Sequence, residues 1–250
     1  MPTAHPGAPA AAPVFRVEIA DLQAHLFRIT LRLPEPAAEQ VLSLPVWIPG
    51  SYLVREFSGQ LQRIQARQGR RRLHIEQLDK CSWKVACRAA QALELSYEVY
   101  ANDPSVRTAM LSHERGFFNA TSLCLRVLGQ EQTPQVLEVP APRGQSGWML
   151  ATALAPLRVD RRGFGAYLAS DYDELADCPV TFGRLWSGQF KACGVPHQLV
   201  VSGAPPSFDG QRLLDDTQKI CEAQIRFWHG PGKPPFKRYV SVSYTHLTLP

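Results

Sequence analysis

Apolar and polar residues alternate one by one through much of the first half of the chain. VFRVEIA (Val14–Ala20), AHLFRITLRL (Ala24–Leu33), CSWKVAC (Cys81–Cys87), ALELSYEVYA (Ala92–Ala101) and TSLCLRV (Thr121–Val127) all follow a period of two. That period puts one face of an antiparallel strand in a core and the other in water. Pro34, Pro36, Pro45, Pro49, Asn102-Asp103-Pro104 and Pro140-Ala141-Pro142 interrupt the runs as turns. No helical period persists between them. The pattern predicts a mainly β N-terminal domain over residues 14–165, a sandwich or a saddle-like curved sheet.

After about residue 165 the pattern changes. HQLVVSGA (His197–Ala204) reads as a short apolar strand, and Pro205, Pro206 and Phe208-Asp209-Gly210 as a turn. From Gln211 to Trp228 the apolar residues Leu213, Leu214, Ile220, Cys221, Ile225 and Trp228 recur as one face of a helix. Asp209 suits its N-cap, and Gly230-Pro231 ends it. FKRYV (Phe236–Val240) then predicts another strand. Residues 166–240 are thus expected to be the start of an α/β domain, too small to enclose a core alone.

Both ends of the chain read differently from the middle. MPTAHPGAPAAAP (residues 1–13) is rich in Ala and Pro and predicts a disordered leader. It lacks the basic start and apolar core of a secretory signal, so the expected location is cytoplasmic. At the other end, the codons GTC TCT TAT ACA CAT CTG ACG CTG CC would encode Val242–Pro250 in order, and they resemble a transposase-end sequencing adapter. Residues 241–250 are therefore expected to be a foreign, adapter-derived tail, with the natural polypeptide continuing beyond Val240.

Composition narrows the function classes. The chain has 250 residues, 45% hydrophobic and 20% charged, ordinary for a folded protein, and no apolar run long enough to span a membrane. Of the net charge of +5, Arg67, Arg70, Arg71 and Arg72 supply four units, leaving +1 for the rest. A nucleic-acid face would spread its basic residues over several elements. Here they form a solvated hairpin tip, and no nucleic-acid or membrane partner is expected. The six cysteines match no CxxC or zinc-ligand spacing, and in a reducing compartment they are expected free and mostly buried.

Few residues carry recognisable chemistry. His113-Glu114-Arg115-Gly116-Phe117 begins like HExxH, but position i+4 is Phe117, and Gly116 disfavours the helix that would bring two imidazoles to one metal. The segment is a decoy; no catalytic and no metal-ligating residue is assigned. Asp171, Asp173, Glu174 and Asp177 suit a helix N-terminus better than a hard-cation site. WIPGSYLVREF (Trp47–Phe57) is the most informative stretch. Pro49-Gly50 can form a tight turn, and Tyr52 and Arg55 could then point together toward a substrate. In the plainer reading, Tyr52 and Arg55 staple the loop to the sheet, and Trp47, Ser51 and Phe57 belong to the same substrate-facing or structural motif.

WIPGSYLVREF, RGFFNATSL (Arg115–Leu123), DYDELADCPVTFG (Asp171–Gly183) and PPFKRYV (Pro234–Val240) occur in this order, and together they resemble the M61 glycyl aminopeptidase family. The resemblance covers about Phe15 to Val240. It implies an N-terminal β-rich domain followed by a thermolysin-like catalytic domain, with zinc-dependent removal of N-terminal Gly or Ala from peptides. The family's HExxH helix and further Glu ligand follow the FKRYV strand. The expectation is therefore a truncated fragment of a zinc metallopeptidase: zinc and peptide substrate belong to the full-length parent. The fragment itself, with the remainder of its catalytic domain missing, is expected to lack cofactor and activity. The alternative is a free-standing β-sandwich binding module. In that case residues 1–165 would cover the apolar face of the helix; in a fragment the face would stay open.

Overall fold

The computed structural model describes residues 9–48, 51–89 and 91–244. Its largest sheet has eight strands in the order Ala155–Val159, Gly165–Ala169, Gln135–Val139, Val14–Asp21, Leu26–Leu33, Leu93–Tyr100, Leu61–Gln68, Arg71–Leu73. All neighbours are antiparallel except Val14–Asp21 and Gln135–Val139, which run parallel with Val14 opposite Val136. The predicted alternation holds in the central strands. Phe15 and Val17, Phe27, Ile29, Leu31 and Leu33, and Leu93, Leu95, Tyr97 and Val99 are all buried, while charged residues occupy the other face.

That other face carries a charge ladder. Arg28 and Arg63 each reach Glu98 at 2.9 Å, and Arg67 Nε reaches Glu94 at 3.0 Å. Arg63 has φ +55° and sits at a register shift between Gln62 and Gln65, a bulge that turns its side chain onto Glu98. The arginine-rich tip follows as a tight hairpin, with Gln68 opposite Arg71 and Gly69 at φ +58°.

Two four-stranded sheets complete the β-rich body, Met149–Ala151, Val180–Gly183, Arg115–Phe118, Ala109–Leu111 and Arg126–Val127, Glu39–Ser43, Ser82–Ala86, Ile75–Gln77. They share one core with the large sheet: Phe15, Ile29, Leu42, Trp83, Phe118, Leu123, Leu150, Leu175 and Phe182 belong to a single apolar cluster. The strands Gly165–Ala169 and Val180–Gly183 are integral to this body. The change of pattern near residue 165 therefore falls inside the sheets, and the β-rich unit runs on to Gly183. The pattern misled because Tyr172–Asp177, a short helix, lies between two strands of the same body.

The remaining residues form a smaller layer. Leu185–Ala192, Val195–Ser202 and Tyr239–Tyr244 make a three-stranded sheet, the last pair parallel and joined by the helix Gly210–His229. A parallel pair needs such a crossover. Asp209 accepts a hydrogen bond from the Arg212 amide at 3.0 Å, and Gly230 closes the helix at φ +62°, as expected. The strand expected over Phe236–Val240 begins instead at Tyr239 and continues to Tyr244, into the stretch expected to be foreign. Residues 245–250 lie outside the described residues.

Two further expectations change. Of the leader, residues 1–8 lie outside the described residues, but Ala12 and Pro13 are buried, and the Pro13 carbonyl accepts from Val136 N at 2.9 Å. The strand expected over Thr121–Val127 is a helical turn, Ala120–Leu123, with only Arg126–Val127 extended. Here Ala120 to Leu125 are all buried, so there is no wet face for a period of two to describe. Tyr97 fastens this irregular backbone: its hydroxyl donates to Leu123 O at 2.7 Å and accepts from Leu125 N at 3.2 Å.

Candidate functional site

The Trp47–Phe57 segment folds back on itself beside the large sheet. Ser51 N donates to Ile48 O at 3.1 Å, Arg55 N to Val46 O at 2.6 Å, and the Trp47 indole to Ser51 O at 2.7 Å. Ser51 is buried, and its hydroxyl accepts from Arg55 Nε at 3.3 Å. Phe57 is buried in the main core at the start of a short 3₁₀ turn, Phe57–Gln60. Trp47 and Tyr52 are exposed. Tyr52 and Arg55 do not converge: Tyr52 stands in solvent, while the half-buried Arg55 is held by Ser51. Pro49 and Gly50 lie outside the described residues.

The loop forms one wall of a cleft of about 330 Å³. Leu53, Val54, Arg55 and Phe57 line it together with Val99, Tyr100, Asn102 and Asp103. Leu53, Val54 and Tyr100 are exposed apolar surface here. The charges differ in their commitments: Glu56 is paired with Lys80 at 2.8 Å, and Asp103 caps the Ser105 amide at 2.9 Å. The sequence pointed to the loop but not to the opposite wall, since Asn102-Asp103-Pro104 reads only as a turn.

The other motif segments hold the fold together. Asn119 Nδ2 donates to Val106 O at 2.7 Å, and Ser122 Oγ donates to Asn119 O at 2.7 Å. Asp171 caps its helix through Glu174 N at 2.7 Å, and Glu174 reaches back to Ser170 N at 2.6 Å. His113 and Glu114 occupy the turn of a tight hairpin, in which Ser112 N donates to Arg115 O at 2.8 Å, so no helix forms there. Gly116 is in a strand, and its missing side chain makes room for the ring of Phe182. Among the described residues no three His, Cys, Asp or Glu side chains gather in a group that could hold a metal.

The cysteines are free, but only Cys124 is fully buried; Cys81, Cys87, Cys178, Cys193 and Cys221 are half-buried. Burial pushes the Cys178 thiol up to about 12 and raises that of Cys124 further, so neither is a thiolate nucleophile at neutral pH. The residue the sequence reading passed over is His197. It is buried, neither ring nitrogen has a hydrogen-bond partner, and it lies between Phe190 at 5.0 Å and Tyr239 at 5.4 Å with Phe236 at 6.0 Å. Only strand register, Phe190 opposite His197 opposite Tyr239, brings these rings together.

This β-rich body with its appended smaller layer has counterparts among solved peptidase structures. An aminopeptidase N family protein from Idiomarina loihiensis has the same fold over 91% of this chain, at 38% identity and a TM-score of 0.85. An M1 zinc metallopeptidase variant from Deinococcus radiodurans matches 92% of the chain at 13% identity and a TM-score of 0.52, a likeness of fold alone. A form of that enzyme bound to a Tyr-Ser-Ala substrate matches similarly, with a TM-score of 0.53. This chain spans 38% of the length of the Idiomarina protein and 55% of the Deinococcus one. No curated protein matches it. The Peptidase M61 N-terminal domain matches residues 14–184, and the chain belongs to the M61 peptidase family.

Proposed function

We propose that this chain is the N-terminal portion of a zinc-dependent aminopeptidase, and that residues 185–240 open its thermolysin-like catalytic domain. The observation that carries this reading is the helix Gly210–His229. It sits on the strand Leu185–Ala192 through Gly210 and Leu214, and Ile225 is buried, while Ile220, Phe227 and Trp228 remain exposed at 63%, 77% and 72%. A free-standing module would need residues 1–165 to cover that surface; among the described residues the helix packs chiefly on Leu185–Ala192, and those three side chains stay exposed. An apolar surface of this kind suits a domain that continues.

The described residues do not fit zinc. The imidazoles form no pair on a helix, and His197 is enclosed by rings rather than by carboxylates or thiolates. In this reading the ligands and the base that activates water belong to polypeptide beyond Val240, and the β-rich body supports the catalytic domain. The 250-residue chain is then inactive, and a cytoplasmic location belongs to the same proposal.

The test is twofold. Source DNA should encode an HExxH within some tens of codons after Val240, and the longer product should cleave glycyl or alanyl amides with loss on chelation. The chain of 250 residues should not. Chelator-sensitive cleavage by the short chain, or a downstream frame without HExxH, would overturn the proposal.

A further inference from the structure

We propose that the cleft beside Arg55 is a receptor for the α-carboxylate of a short apolar peptide. The inference stands apart from the peptidase reading, because it concerns binding by this chain and needs no turnover. It starts from the commitments of Arg55. A guanidinium offers five donors in a planar fork. Nε is used by Ser51 Oγ at 3.3 Å, which orients the group, and among the described residues the two terminal nitrogens have no hydrogen-bond acceptor. A half-buried, oriented arginine with its fork open is the arrangement that pairs with a carboxylate through two parallel hydrogen bonds.

The walls decide which anion fits. Leu53, Val54 and Tyr100 are 62%, 66% and 42% exposed beside the arginine, so an apolar side chain on the ligand has surface to cover. Inorganic phosphate would gain nothing from them. Asp103 also lines the cleft, and with Glu56 already engaged by Lys80 it is the carboxylate left to meet a cationic or N–H group of the ligand. A divalent anion would be repelled by both acids, whereas a peptide, negative at one end and bearing N–H donors along its length, is complementary to Arg55 and Asp103 together. At about 330 Å³ the cleft is of small-ligand size, too small for a folded partner, which buries about 800 Å² on each side.

The experiment is calorimetric titration of the 250-residue chain with Ala-Leu, with its C-terminal amide and with inorganic phosphate. The free acid should bind at least about tenfold more tightly than the amide, the factor expected for a charge-assisted hydrogen bond, and phosphate more weakly than the acid. Arg55→Gln should erase the preference for acid over amide. Asp103→Asn, which keeps an oxygen to cap Ser105, should weaken the dipeptide without erasing that preference. Equal affinity for acid and amide, phosphate binding as tight as the dipeptide, or no binding of the acid at millimolar concentration would overturn the proposal. The acid–amide comparison on the unaltered chain decides the matter even if the Arg55 variant fails to fold.

Discussion

At the scale of the residue, two positions show how motif strings serve packing. The Tyr97 hydroxyl bridges Leu123 O and Leu125 N where no ladder satisfies them, and burial raises its pKa well above the usual phenol value. Tyr97→Phe should cost about 1–3 kcal/mol, because it strands buried backbone groups; urea unfolding measures it. A Cβ at Gly116 would lie 2.2 Å from Phe182, whose ring is itself fixed by Phe27, Trp148 and Phe164. Gly116→Ala should therefore destabilise by about 1–3 kcal/mol through overpacking.

His197 gives a prediction in pH. Burial lowers its pKa, so the unfolded chain, near the ordinary value of about 6.5, takes the proton first. The stabilising contribution of the neutral ring is complete above that value and falls as pH drops below it. Denaturation followed between pH 5 and pH 8 should show this acid limb, and His197→Phe should flatten it.

At the scale of the element, the helix Gly210–His229 has two apolar faces with different fates. Ile225 is buried, and its change to Ala should cost about 2–5 kcal/mol. Phe227 is 77% exposed, and Phe227→Ser should stay within about 0.5 kcal/mol in this chain. Hydrogen exchange of the helix amides distinguishes the two. Periodicity located the helix, but it joined Ile220 and Trp228 to the same face as Ile225; in the fold Ile225 is buried while Ile220 and Trp228 stay exposed. The Thr121–Val127 run failed in the opposite way, since burial on every side leaves no alternation to interpret.

For the whole molecule, the main core unites three sheets from Phe15 to Phe182, whereas Leu199, Val200, Val201 and Ile225 form no part of it. Limited proteolysis should therefore remove residues 185–244 before it cuts the β-rich body. Survival of the helix after loss of that body would contradict the partition.

The chain by itself determined the alternating central strands of the large sheet, where the long helix begins and ends, and which ordered motifs mark an M61 peptidase. Those properties are local: side-chain alternation, a capping carboxylate and a glycine are set by neighbours in sequence. Tertiary structure alone decided that the strands after residue 165 rejoin the first body, that Tyr52 and Arg55 part company, and that Arg55 and Asp103 line one cleft. It also enclosed His197 among three rings. Each of these depends on register between segments distant in sequence, which no pattern within a single segment encodes.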